Sequence, residues 1–230
     1  MTDYSDLEKL ISIKLKNRKL LENAFIHRSY LNEHREEGLV SNERMEFLGD
    51  AVLELVATRH LYDFCPDESE GAMTSFRAAL VKGKHLAEIA RELDLGKYLF
   101  LSNGEEQSGG REKNYILANT VEALIGAIYL DQGYAAAEKF ISKFILEKLD
   151  EIIEKGLHVD SKSKFQEISQ EVEGHTPHYA VMKEEGPDHA KEFTMGAYIN
   201  EKLVAKGYGS SKQTAEDDAA KNALKEKGWN

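Results

Sequence analysis

Carboxylates set inside an apolar helical run are the feature that most restricts this chain. Residues 42–57 read Asn-Glu-Arg-Met-Glu-Phe-Leu-Gly-Asp-Ala-Val-Leu-Glu-Leu-Val-Ala. Glu43, Glu46 and Asp50 recur at intervals of three and four, which places them on one face of a helix. Met45, Leu48, Val52, Leu53, Leu55 and Val56 supply a broad apolar surface around that face. Acids so close together beside a core repel unless a proton or a cation balances them. Residues 116–131, Ile-Leu-Ala-Asn-Thr-Val-Glu-Ala-Leu-Ile-Gly-Ala-Ile-Tyr-Leu-Asp, have the same character, with Asn119 and Glu122 one turn apart. Two buried helices facing each other would pool these groups into a divalent-metal site. Gly49, in a helix with no reason to bend, points to a close neighbour, either another helix or a ligand.

Several function classes drop out. With one cysteine, Cys65, in 230 residues, neither an internal disulfide framework nor a thiolate metal cluster is possible, and a reducing compartment is expected. The eight histidines show no HExxH or paired spacing, which argues against zinc. The acidic start and the lack of a long apolar run predict a cytoplasmic, unprocessed chain that does not span a membrane. Ser102–Gly110 is Gly-rich but lacks the Gly-Lys-Ser/Thr end of a P-loop, so no nucleotide cofactor is expected. His27 and Ser29 have no carboxylate orienter at a known spacing and read as a structural polar pair. A net charge of -11 taken alone argues against nucleic acid. Residues 160–230 hold ten lysines against thirteen acids, a net of -3, which leaves -8 for residues 1–159.

Periodicity gives the organisation. Helices are expected at 5–16 (capped by Ser5 or Asp6), 18–26, 42–62 with Asn42 as N-cap, and two across 72–92 with a break at Gly83. Further helices are expected at 116–131 and 134–154, and residues 31–41 and 101–113 read as polar loops. The first 154 residues are thus all-helical, with seven to nine helices. Residues 155–160 form a linker. In residues 161–228, a helix with Phe165, Ile168 and Val172 inward precedes strands near 177–184, 190–199 and 202–209. A closing helix follows, with Ala215, Ala219, Ala220 and Leu224 inward. Phe193 and Tyr198 read as sheet core. The fold class is mainly α followed by a small α+β domain of order α-β-β-β-α, a three-stranded antiparallel sheet covered on one face by two helices.

The two acidic helices and the tail together resemble bacterial-type ribonuclease III over essentially the whole chain. Residues 42–53 match the family signature almost residue for residue. Glu70-Gly, Arg77-Ala-Ala-Leu-Val81, Gly109-Gly-Arg111 and Glu122-Ala-Leu-Ile-Gly-Ala-Ile-Tyr-Leu-Asp131 follow in the family's order. The tail is similar to a double-stranded-RNA-binding domain through Lys164-Phe-Gln-Glu-Ile, Pro187-Asp-His, Phe193, Gly207-Tyr-Gly-Ser-Ser-Lys212 and Ala215-Glu-Asp-Asp-Ala-Ala220.

The resemblance implies a homodimer through the helical domain that cuts double-stranded RNA, leaving 5′-phosphates, 3′-hydroxyls and two-nucleotide 3′ overhangs. Ribosomal precursor, messenger and other structured RNA are the implied substrates. It makes Asp50 and Glu122 catalytic, and Glu46, Asn119 and Glu122 ligands of Mg²⁺, with Mn²⁺ as a substitute. Glu43 and Glu70 become acids beside the metal or the substrate, although Glu43 also reads as a dimer contact or an Arg44 partner. The loop at Gly109-Gly110-Arg111 reads as a phosphate contact or as a plain connection. The duplex would meet Gln166 and Glu167 in one minor groove and His189 in the next, with Ser211, Lys212 and Gln213 on the phosphates between. Asn119 departs from the pattern, which has Asp there. An amide oxygen can coordinate an ion but brings no charge. The alternative is therefore a weakly active or non-catalytic duplex-binding homodimer. Lys212 followed by Gln213, Asp217 and Asp218 is a weaker cationic cluster than related domains carry, so affinity and its salt slope are expected to be low.

Overall fold

The chain runs through helices α1 (Ser5–Ile11), α2 (Arg18–Ala24) and α3 (Arg28–Glu33) into the 22-residue α4 (Glu43–Phe64). Next come α5 (Glu70–Leu80), α6 (Gly83–Glu92), α7 (Asn103–Gln107), α8 (Asn114–Gln132), α9 (Tyr134–Phe144) and α10 (Leu149–Glu154). The tail contains α11 (Ser161–Glu173), strands β1 (His178–Glu185), β2 (Glu192–Ile199) and β3 (Lys202–Gly209), and α12 (Lys212–Lys227). The computed structural model describes residues 2–35, 39–158, 160–187 and 191–229. The chain divides into two units, Met1–His158 and Val159–Asn230. None of the described helices is long and apolar enough to cross a membrane.

The first unit is built on α8. Eleven of its nineteen residues are buried, so it is wrapped by neighbours rather than laid on a surface. Its tightest neighbour is α4. A Cβ on Gly49 would stand 1.8 Å from the Glu122 carbonyl oxygen, and one on Gly126 would stand 2.3 Å from that of Met45. The two backbones touch through paired glycines, and any side chain there would separate them.

Among the described residues this unit has ten α-helices, more than the periodicity predicts. The extra ones rest on local caps and distant polar contacts. α3 buries no residue. His27 Nδ1 accepts from the Ser29 amide (3.3 Å), and Glu33 accepts from the Asn103 amide (3.0 Å). In the segment read as a loop, Ser102 caps α7 by accepting from the Glu105 amide. The 134–154 stretch breaks at Ile145 into α9, a 3₁₀ turn at Leu146–Lys148, and α10. The first helix stops at Ile11, where Ser12 takes a left-handed conformation (φ 57°), and its N-cap is Tyr4 rather than Ser5 or Asp6. Asn42 occupies the N-cap of α4, but its side chain does not cap. It is buried and donates Nδ2 to the Ala24 carbonyl (3.2 Å).

In the second unit β2 is central and pairs antiparallel with β1 and β3. Phe165, Met195, Ala197, Ile199 and the alanines of α12 form the core. α12 lies so close to β3 that a Cβ on Gly207 would meet the Ala219 amide nitrogen at 2.0 Å. Two expected core positions are not there. Val172 is 61% exposed. Tyr198 lies on the open face of the sheet, over Gly196 and stacked on His178 (5.2 Å between centroids), because strand alternation points it away from Ala197 and Ile199.

Candidate active site and duplex-binding surface

The α4–α8 crossing sets the geometry of the acids. Gly49 sits between Glu46 and Asp50 in sequence and rests on the Glu122 backbone, so both helices present their polar groups at one place. Burial pushes the Glu46 carboxyl above its usual range. The neighbouring Asn119 amide opposes this by hydrogen bonding, and the charges on Glu43 and Asp50 add to it. Glu122 is affected more. Burial, then Asp50, then Glu46, raise it to about 7. Asp50 itself is exposed. These four groups therefore interact electrostatically across the helix pair.

Beside them opens a cleft of about 470 Å³ whose walls include Glu43, Glu46, Asn119, His27, Arg28 and Tyr115. Four separate segments meet here, so sequence spacing did not reveal His27, Arg28, Asn32, Glu105 and Tyr115 as neighbours of the acids. The expected His27–Ser29 pair forms the far wall. His27 Nδ1 and Ser29 Oγ are 2.8 Å apart, and burial holds the imidazole below its ordinary pKa. Glu43 is exposed, accepts from Ser41 Oγ (2.8 Å) and faces Arg28 (3.8 Å) rather than Arg44. Glu70 lies in the first turn of α5, accepting from Thr74 Oγ1 (3.1 Å). It is not among the charges acting on Glu46 or Glu122. Arg111 is held internally. It contacts Glu106 through Nε and Nη2 (2.6 Å each) and donates Nη1 to the Gly96 and Leu99 carbonyls.

Among the described residues no three His, Cys, Asp or Glu side chains close on one point as a ready-made metal cage. The donors present still suit Mg²⁺. They are oxygen-only, and Mg²⁺ keeps several waters rather than demanding a full protein shell. A carboxyl lifted to about 7 by neighbouring carboxylates is a place where a cation relieves repulsion.

On the second unit Gln166, Glu167, Ser211, Lys212 and Gln213 are all exposed. His189 lies outside the described residues. The Ser211 hydroxyl caps α12, with Thr214 completing a capping box. Lys212 Nζ is held by Glu184 of β1 at 3.0 Å and lies over the Phe193 ring.

A family model described as Ribonuclease-III-like matches residues 17–149, more than half of the chain. Ribonuclease 3 of Pelotomaculum thermopropionicum is 44% identical over 218 residues, covering 95% of this chain and 90% of its own length. The chain belongs to the ribonuclease III family. Ribonuclease 3 of Desulforamulus reducens is 45% identical over 218 residues, 95% of this chain and 89% of its own. The nuclease domain of ribonuclease III from Campylobacter jejuni superposes with a TM-score of 0.59 at 38% identity, spanning 64% of this chain and 97% of that one. A second structure of that domain, with a TM-score of 0.58 and 38% identity over 63% of this chain and 97% of its own, is described as flexible in a region involved in dimer formation. A double-stranded RNA binding motif matches residues 161–227. The ribonuclease III architecture expected from the sequence, a helical unit followed by a duplex-RNA-binding unit, is thus present.

Proposed function

We propose that this protein is a homodimeric, metal-dependent endoribonuclease that hydrolyses double-stranded RNA. It processes ribosomal precursor, messenger and other structured RNA in the cytoplasm. The observation that carries this function is the placing of three partly buried groups, Glu46, Asn119 and Glu122, across the α4–α8 pair, with Glu122 raised to about 7. Glu46, Asn119 and Glu122 would hold Mg²⁺, or Mn²⁺ in its place. When bound, the ion supplies Lewis acidity for activating the attacking water and balances charge on the departing 3′-oxygen. Asp50, which is exposed, accepts a proton as water attacks phosphorus. The P–O3′ bond breaks, the departing 3′-oxygen takes a proton from solvent, and a 5′-phosphate and a 3′-hydroxyl remain, while paired sites offset across the duplex leave two-nucleotide 3′ overhangs.

Dimerisation is supported by α4. Phe47 (80% exposed), Ala51, Leu55, Thr58 and Tyr62 (72% exposed) form one stripe on its outer face. A contiguous apolar stripe on a soluble surface marks an interface. The domain limits we assign are 1–154 for catalysis and dimerisation and 161–228 for duplex binding, joined by 155–160. In the second, Gln166 and Glu167 meet one minor groove and His189 the next. Ser211, Lys212 and Gln213 meet the phosphates.

A labelled long duplex incubated with Mg²⁺ tests the assignment. Discrete short duplexes with two-nucleotide overhangs are expected, whereas intact duplex with a mobility shift would favour the non-catalytic binder that Asn119 suggests. Asn119→Asp restores a charged ligand, and the Mg²⁺ concentration for half-maximal cleavage is expected to fall about tenfold. At the duplex-binding unit, Glu184→Gln frees Lys212. Fluorescence titration should show about threefold tighter binding and a steeper salt dependence.

A further inference from the structure

The cleft beside the acids carries Glu43, Glu46 and Glu105 on its walls, so a nucleic-acid strand entering it meets like charge. Arg28 lines the same cleft and has the opposite sign, yet the hydrolytic chemistry above gives it no task. Its backbone is fixed from both sides. The His27 amide donates to the Phe100 carbonyl (3.1 Å), the Asn42 amide to the Ile26 carbonyl (2.8 Å), and the Ser102 amide to Ser29 Oγ (3.1 Å). Its side chain is not fixed. It is 74% exposed, and its Nη1 stands 3.8 Å from Glu43 Oε1, beyond hydrogen-bond length. Such an exposed pair contributes little to stability. Two basic side chains of the neighbouring 103–113 segment are engaged at short range. Lys113 Nζ is 2.6 Å from Glu105, and Arg111 is 2.6 Å from Glu106. Glu43, steadied by Ser41, thus stands beside an exposed, loosely paired guanidinium on the wall of the cleft.

We propose that Arg28 is a substrate-binding residue. It leaves Glu43 and takes a backbone phosphate of the strand lying in the cleft, a role that presupposes the duplex-RNA substrate assigned above. A guanidinium suits this task because its planar fork grips two phosphate oxygens at once, and leaving a loose, solvated ion pair costs little. The ligand is a phosphodiester anion. The contact holds the strand against the wall that carries Glu46 without entering the bond-breaking step.

The test uses the full-length protein and a duplex RNA, with equilibrium binding measured over a salt series and cleavage measured with Mg²⁺. Arg28→Ala is expected to weaken Kd and raise KM about tenfold. It should reduce the slope of log K against log salt by about one and leave kcat within about twofold. Arg28→Lys keeps the charge but not the fork, so it keeps the slope and loses only part of the affinity. Lys9→Ala, which removes the same charge from α1, leaves both unchanged. An Arg28→Ala protein that melts normally yet keeps the parental Kd and slope would overturn the role, as would a fall in kcat with Kd and KM unmoved. If the parent binds duplex without cutting it, the nuclease assignment fails while Kd and slope still decide for or against Arg28.

Discussion

Replacing Glu122 with Gln is expected to abolish cleavage while making the metal-free fold more stable at pH 8. The two effects share a cause. The Glu122 carboxyl is raised to about 7, first by burial and then by Asp50 and Glu46. An unfolded chain releases that proton near the ordinary carboxylate value, so the folded state holds it over a wider pH range. Stability is therefore highest, for this group, below about 4.5, falls as pH rises through about 7, and is flat beyond. A shift of that size corresponds to roughly 3 kcal/mol. Glu122 is only partly buried, and solvent screening brings the expected gain to about 1–2 kcal/mol. Gln cannot ionise, so Glu122→Gln should raise the melting temperature by a few degrees at pH 8 and by nothing near pH 4.5. Turnover should drop by roughly three orders of magnitude, with duplex binding retained. Mg²⁺ should stabilise the parent by mass action and the variant much less. A variant that cuts at the parental rate would remove Glu122 from the chemistry.

Gly49→Ala is the second large effect. In an exposed helix the change gains up to about 1 kcal/mol. Here the new Cβ would lie 1.8 Å from the Glu122 carbonyl oxygen and 2.7 Å from its carbon. Neither is a side-chain tip that can turn aside, so α4 and α8 must separate along their whole contact. A loss of about 3–5 kcal/mol is expected, enough to leave much of the first unit unfolded. Gly104→Ala is the control. A Cβ there meets nothing within 4 Å, and the change should be neutral or slightly stabilising. Urea denaturation followed by circular dichroism separates the two. Equal midpoints for both variants would contradict the close helix contact.

What could be read from the sequence, and what could not, divides along physical lines. α4, α8, α11 and α12 carry long apolar stripes or alanine ridges, and these were visible because they are repeated locally. Glu46, Asp50 and Glu122 stood out because acids at helical spacing conflict with an apolar surface unless something compensates. α3 was not visible, since no apolar residue of it is buried and its support from Asn103 comes from seventy residues away. α7 was hidden for the same reason. The break at Ile145 was masked because apolar residues continue straight through it. Tyr198 and Val172 had the right residue type for a core but the wrong side of their element. At the site, the acids were visible but the cleft was not. Glu70, which the motif sets beside the metal or the substrate, lies on a third helix, in the first turn of α5.

The division of the site between α4 and α8 also has a consequence in time. Glu46 and Asp50 leave the ribosome some seventy residues ahead of Glu122, and the carbonyl of Met45 has no Gly126 to rest against until α8 is made. Asp131, at the end of α8, receives the amides of Lys16 and Asn17 at 2.8 Å each, which ties the start of the unit to the last turn of that helix. A chain still in synthesis therefore cannot bring Glu122 beside Glu46 and Asp50 until its central helix has emerged and docked.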